Sequence, residues 1–130
     1  MDRFLLASAA SFGLVGVGAG AFGAHALRAK ISADRLASFE AGARYLLLHT
    51  PAIVAVVWMR TAGPDTVCET VAGLSFVAGG VVFAGSLFAL ALTGRRRWGA
   101  VTPIGGALLL AGWAALLVAA LTAPLRFNVF

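Results

Sequence analysis

Cysteine occurs once in the 130 residues, at Cys68, so no disulfide can close within the chain and no His/Cys set has the spacing of a zinc site. Charge is nearly as scarce: ten Lys and Arg and five Asp and Glu make up 12% of the chain. A soluble domain carries about 25% charged and about 45–50% apolar residues. Here 61% are apolar and the mean hydropathy is +0.95. A globule of this size exposes a large surface, and these polar residues are too few to cover it, so most of the chain has lipid as its solvent. The net charge of +5 does not mark a nucleic-acid protein, because the basic residues are scattered between apolar blocks rather than gathered with interleaved aromatics. No glycine-rich loop joins a strand to a helix, and Gly85-Ser86 lacks the pattern of a nucleophile elbow. No cofactor and no metal are expected.

What is present is four long apolar blocks, predicting an all-α integral membrane four-helix bundle that forms a single transmembrane domain over 1–130, with spans near 4–27, 40–59, 69–93 and 102–122. The first holds no charge between Arg3 and Arg28. Ala24-His25-Ala26 has the small-x-small form of a signal-peptide cleavage site, but the block exceeds the usual apolar region of about 7–15 residues and more membrane sequence follows. Ser32 is placed to cap helix two, with Asp34 in its first turn, and Arg60 marks its exit. Thr66-Val67-Cys68-Glu69 fits a capping box at the start of helix three, and Gly94 fits a residue of positive φ after its end. The run Arg95-Arg96-Arg97-Trp98 reads as a loop, and Thr102-Pro103 as a cap and first-turn proline opening helix four. Pro124 ends it, leaving Phe127 and Phe130 beside Arg126 for the interface.

Four spans place both termini on one side. Arg28, Lys30, Arg35, Arg44, Arg95, Arg96 and Arg97 fall on the other, against Arg3, Arg60 and Arg126 on the termini side. The positive-inside rule predicts a multi-pass inner-membrane protein with both termini outside the cytoplasm.

Ala9, Gly13, Gly16, Gly20 and Gly23 recur at alternating spacings of four and three, lining one face of helix one with small residues that admit close backbone approach. That face serves either packing within the chain or a homo-oligomer seam. The expected partners are therefore the lipid bilayer and a possible second copy; no protein partner can be named.

Ionisable groups inside a membrane segment are costly and mark candidates for function. Glu40 and Arg44, four apart in acid-before-base order, read as an ion pair or headgroup contact near the cytoplasmic surface, where His25 could join them. His49 lies deep in helix two before Thr50-Pro51, and Pro51 deprives the Leu47 carbonyl of its ladder donor. His49 is open to three roles: proton relay, ligand, or a packing histidine partnered by Tyr45 one turn earlier. A bis-histidine site with His25 is disfavoured by a difference in depth of roughly 10 Å.

The strings Gly20-Ala21-Phe22-Gly23-Ala24-His25-Ala26-Leu27, Ala43-Arg44-Tyr45 leading to His49, Phe83-Ala84-Gly85-Ser86-Leu87, and Thr102-Pro103-Ile104-Gly105-Gly106 with Gly112-Trp113 resemble, in order and over nearly the whole chain, the YgdD-like family of small membrane proteins. The resemblance implies a four-helix inner-membrane protein that retains its first helix. It singles out His25, Arg44, Tyr45, His49, Ser86, Thr102 and Pro103 without defining their roles. Leu46-Leu47-Leu48 stand before His49 where relatives often carry more polar residues, which argues against a wet pathway there. The expectation is a non-enzymatic scaffold or accessory membrane protein; the alternative is a small channel or proton-coupled transporter using His49 and the Glu40, Arg44 and His25 group.

Overall fold

A computed structural model describes residues 1–122 and consists of helices throughout. Helix α1 spans Asp2–Phe22 and runs on through a π-helical turn, Gly23–Leu27; α2 spans Ala33–Ala62, α3 Val67–Thr93 and α4 Arg97–Thr122. All four are long and apolar enough to cross a bilayer. Pro124, Arg126, Phe127 and Phe130 lie outside the described residues.

Several helix ends are set by local chemistry that the sequence displays. Ser32 accepts a hydrogen bond from the Arg35 backbone N–H at the start of α2. Thr66 and Glu69 form a reciprocal capping box on α3, and Gly94 ends that helix at φ 68°, where its N–H reaches the Leu90 carbonyl. A side chain takes the next free carbonyl: Arg35 Nε donates to Ala91 O at 2.7 Å, so α2 caps the C-terminal end of α3.

Two local expectations are corrected. Helix α4 begins at Arg97, not at Thr102, because the Trp98 and Gly99 amides close a first turn onto Arg95 and Arg96. Thr102 is therefore interior and its hydroxyl bonds back to Trp98 O, while Pro103 leaves the Gly99 carbonyl without its ladder donor. At the end of α1, the motif Gly23-Ala24-His25-Ala26-Leu27 is wound as a π turn, which no residue preference announces.

Helices α2 and α3 form the centre; α1 packs on both, and α4 packs chiefly on α3. The core is made by large side chains seated on glycines of the neighbouring helix. Phe76, fully buried, lies against Gly112; Phe12 against Gly80; Leu5 against Gly73; and Phe88 against Gly42. The closest approach joins α3 and α4, where a Cβ on Gly105 would stand 2.6 Å from Phe83 Cα and one on Gly79 would stand 2.8 Å from the Leu109 nitrogen. Lipid gives helices no hydrophobic reason to associate, so this backbone proximity, with the dispersion contacts it permits, is what holds α4.

The small face of α1 divides. Gly16 meets Leu47 and the Ala43 carbonyl of α2, and Gly23 meets Phe39, whereas Gly13 has only ordinary contact with Thr50 and nothing stands within 4 Å of a Cβ on Gly20. The face thus serves packing on α2 at Gly16 and Gly23, while Gly20 is spare. Gly105→Ala should lower stability by about 1–3 kcal/mol through overpacking against backbone, and Gly20→Ala should stay within about 0.5 kcal/mol of the parent. Thermal unfolding in detergent micelles measures both, and equal midpoints for the two variants would contradict this packing.

Candidate functional site

His49, 2% exposed, is set on the α2 face that meets α3. Its Nε2 lies 3.1 Å from Trp113 Nε1 of α4, and its Nδ1 2.7 Å from the Tyr45 carbonyl. An indole N–H only donates, so Nε2 must accept; Nδ1 then carries the ring proton and donates to Tyr45 O. The imidazole thus has both nitrogens engaged, in a single tautomer. Aromatic rings enclose it: Phe76 at 5.5 Å, Trp113 at 5.9 Å and Tyr45 at 6.0 Å, with Tyr45 in turn stacked on Phe83 at 4.3 Å. The expected Tyr45 partnership is real, but the bond is made by the backbone carbonyl and the ring only packs.

Beside this group, α2, α3 and α4 border an open, almost wholly apolar crevice of about 550 Å³ that includes Tyr45, Leu48, Pro103 and Leu110. One turn from it, the Ser86 and Thr102 hydroxyls meet at 2.7 Å, and each also donates or shares toward a carbonyl of its own helix, Phe83 O and Trp98 O. These two candidates are brought together as an α3–α4 tie. The Thr50 hydroxyl bonds Leu46 O, so it does not serve the Leu47 carbonyl that Pro51 vacates.

His25, Glu40 and Arg44 are not gathered. All three are exposed on the protein surface, and among the described residues no ion pair or side-chain hydrogen bond joins them. The expected Glu40–Arg44 pair is absent, and Arg44 lies deeper than the sequence suggests. Tyr45 is level with Phe83, ten residues inside the end of α3, which is about 15 Å of helical rise.

The ion pairs that do form involve a residue read only as an exit marker. Arg60, 8% exposed, donates to Asp2 at 2.6 Å, Thr70 at 2.6 Å and Asp65 at 3.0 Å, joining the start of α1, the end of α2, the following turn and the first turns of α3. Glu69, 1% exposed, lies close by in its capping box, with its carboxylate on the Thr66 N–H. Matching the ends of an antiparallel α1–α2 hairpin would have put Asp2 beside Arg60; that was the available signal. Among the described residues no group of three His, Cys, Asp or Glu side chains has metal-binding geometry.

This architecture defines a small four-helix integral membrane protein. Residues 19–106 match the family model described as "Protein of unknown function (DUF423)". The chain is 42% identical over 123 residues to the UPF0382 inner membrane protein YgdD of Escherichia coli (strain K12), covering 92% of this chain and 91% of that protein. It is 38% identical over 105 residues to the UPF0382 membrane protein SH2409 of Staphylococcus haemolyticus (strain JCSC1435), covering 81% and 84%. It is also 36% identical over 119 residues to the UPF0382 membrane protein SAB0533 of Staphylococcus aureus (strain bovine RF122 / ET3-1), covering 92% and 95%. The chain belongs to the DUF423 family of membrane proteins. No solved structure matches it.

Trp113→Phe removes the only donor to Nε2 and should cost about 1 kcal/mol. Nitrogen NMR of the His49 ring checks the assignment: the Nε2 resonance should move and Nδ1 should stay protonated, whereas a proton on Nε2 in the parent would refute the tautomer. At the other end, Arg60→Lys keeps the charge but cannot span three acceptors. It should lose about 1–2 kcal/mol, and Arg60→Ala more, since Asp2 and Asp65 then lose their paired cation. Denaturation midpoints of the three proteins decide the order.

Proposed function

We propose that the protein is a non-enzymatic scaffold or accessory component of the membrane, inserted with its chain ends outside the cytoplasm. The observation that carries this reading is the state of His49. A proton relay needs a ring nitrogen free to take up a proton and a polar route to deliver it. Here Trp113 occupies the one lone pair, Tyr45 O takes the one N–H, and aromatic rings fill the surroundings. The hydroxyls of Thr50, Ser86 and Thr102 are bonded to their own helices or to each other, so among the described residues they offer no chain of open donors and acceptors along the bundle. The adjoining crevice, which His49 and Trp113 help to line, is surfaced mostly by apolar atoms of α2, α3 and α4. The orientation is supported by Arg28, Lys30, Arg35, Arg95, Arg96 and Arg97 at one end, against Arg3 and Arg60 among the described residues at the other.

Purified protein in proteoliposomes loaded with a pH-sensitive dye tests the first half. Proton leak should equal that of protein-free vesicles, and His49→Phe should leave it unchanged; conduction above background that His49→Phe abolishes would establish the transporter reading instead. For the second half, a Cys68→Ser background carrying Pro64→Cys should react with an impermeant thiol reagent from outside intact cells. Ala29→Cys should react only after permeabilisation, and the opposite pattern inverts the protein.

A further inference from the structure

The side of α2 turned away from the core carries Ala37, Glu40, Arg44, Leu48, Pro51 and Ala55. All six are exposed, and at about 100° per residue they fall within one stripe, directly opposite the buried positions Leu46, His49, Ile53 and Val56. Helices α1 and α3 flank α2, and α4 reaches it through Trp113, so no part of the described chain covers this stripe. It contains an acid and a base, neither engaged in an ion pair. Arg44 lies about 15 Å inside the end of the bundle and Glu40 about 6 Å nearer that end, so on helices longer than the hydrocarbon core is thick Arg44 sits within that core and Glu40 near its edge. A charge there is expensive when it faces lipid, and membrane proteins compensate it with a partner.

We propose that this stripe is the interface of a homodimer in which Glu40 of each copy pairs with Arg44 of the other. The charge pattern is self-complementary. A two-fold axis along the membrane normal lays α2 parallel to its copy and sets residue i on j and j on i, so one acid and one base on each helix make two reciprocal pairs. The offset of one helical turn suits arginine, because helical side chains lean toward the helix N-terminus, here from Arg44 toward Glu40. Ala37, Pro51 and Ala55 keep the rest of the stripe low, which lets the two helices approach. A lipid phosphate bound to Arg44 would leave Glu40 unpaired, and a contact within one helix would need no second copy.

Two differently tagged full-length copies, co-expressed and extracted in mild detergent, distinguish these cases. Parent copies should capture each other. Each of E40K and R44E alone makes the stripe a single sign and should lower self-capture roughly tenfold or more. An E40K copy with an R44E copy restores both opposite-charge contacts and should return capture to the parent level. Self-capture of either single variant at the parent level, or a mixed pair no better than the singles, overturns the proposal. A second measurement avoids charge reversal: in a Cys68→Ser background, Leu48→Cys or Ala55→Cys should form disulfide-linked dimers in native membranes. Leu14→Cys, exposed on the side of α1 turned away from α2, should not. Crosslinking at Leu14 with none at Leu48 or Ala55 would likewise overturn it.

Discussion

A main chain in hydrocarbon must satisfy its own hydrogen bonds, and helices meet that demand before any of them touches another. What then assembles the four rods is how closely their backbones can lie. Phe76 on Gly112, Phe12 on Gly80 and the Phe83 backbone beside Gly105 are repeated instances of one device, a ring or backbone on one helix fitted where the next has no side chain. The α3–α4 pair depends on it most, since among the described residues the side-chain hydrogen bonds that join α4 to its neighbours are those of the Ser86–Thr102 hydroxyls and the indole of Trp113. The glycines near these contacts therefore act in pairs with specific partners, and their number alone says little.

The polar groups follow the same economy. Asp2, Arg60, Asp65 and Glu69 gather at one end, and Arg35 closes the far end of α3. Between these ends His49 has a donor and an acceptor already assigned. Glu40 and Arg44 depart from this pattern: among the described residues no ion pair engages either of them.

The sequence displayed everything governed by a few consecutive residues. The helices followed from apolar length, the capping box from Thr66 and Glu69, and the end of α3 from a glycine at positive φ. It misled where two local rules competed: Thr102-Pro103 has the form of a helix start, yet the turn closed by Trp98 and Gly99 begins α4 earlier. It was silent where levels on different helices had to be matched. Gly16 and Gly20 read alike in sequence, but only Gly16 faces α2, because that depends on the rotation of α1. Trp113 stands 64 residues from His49 and Arg60 stands 58 from Asp2, so neither pairing has a local signature. The π turn at Gly23–Leu27 likewise shows only in the backbone.

The link between Asp2 and Arg60 also bears on biosynthesis. The carboxylate is made ahead of its guanidinium partner, which is translated 58 residues later, at the far end of the second rod. Until that rod has been threaded back, the start of α1 lacks the cation that anchors it. Completion of the α1–α2 hairpin, rather than insertion of α1 alone, is thus the step that fastens this end of the helix in place.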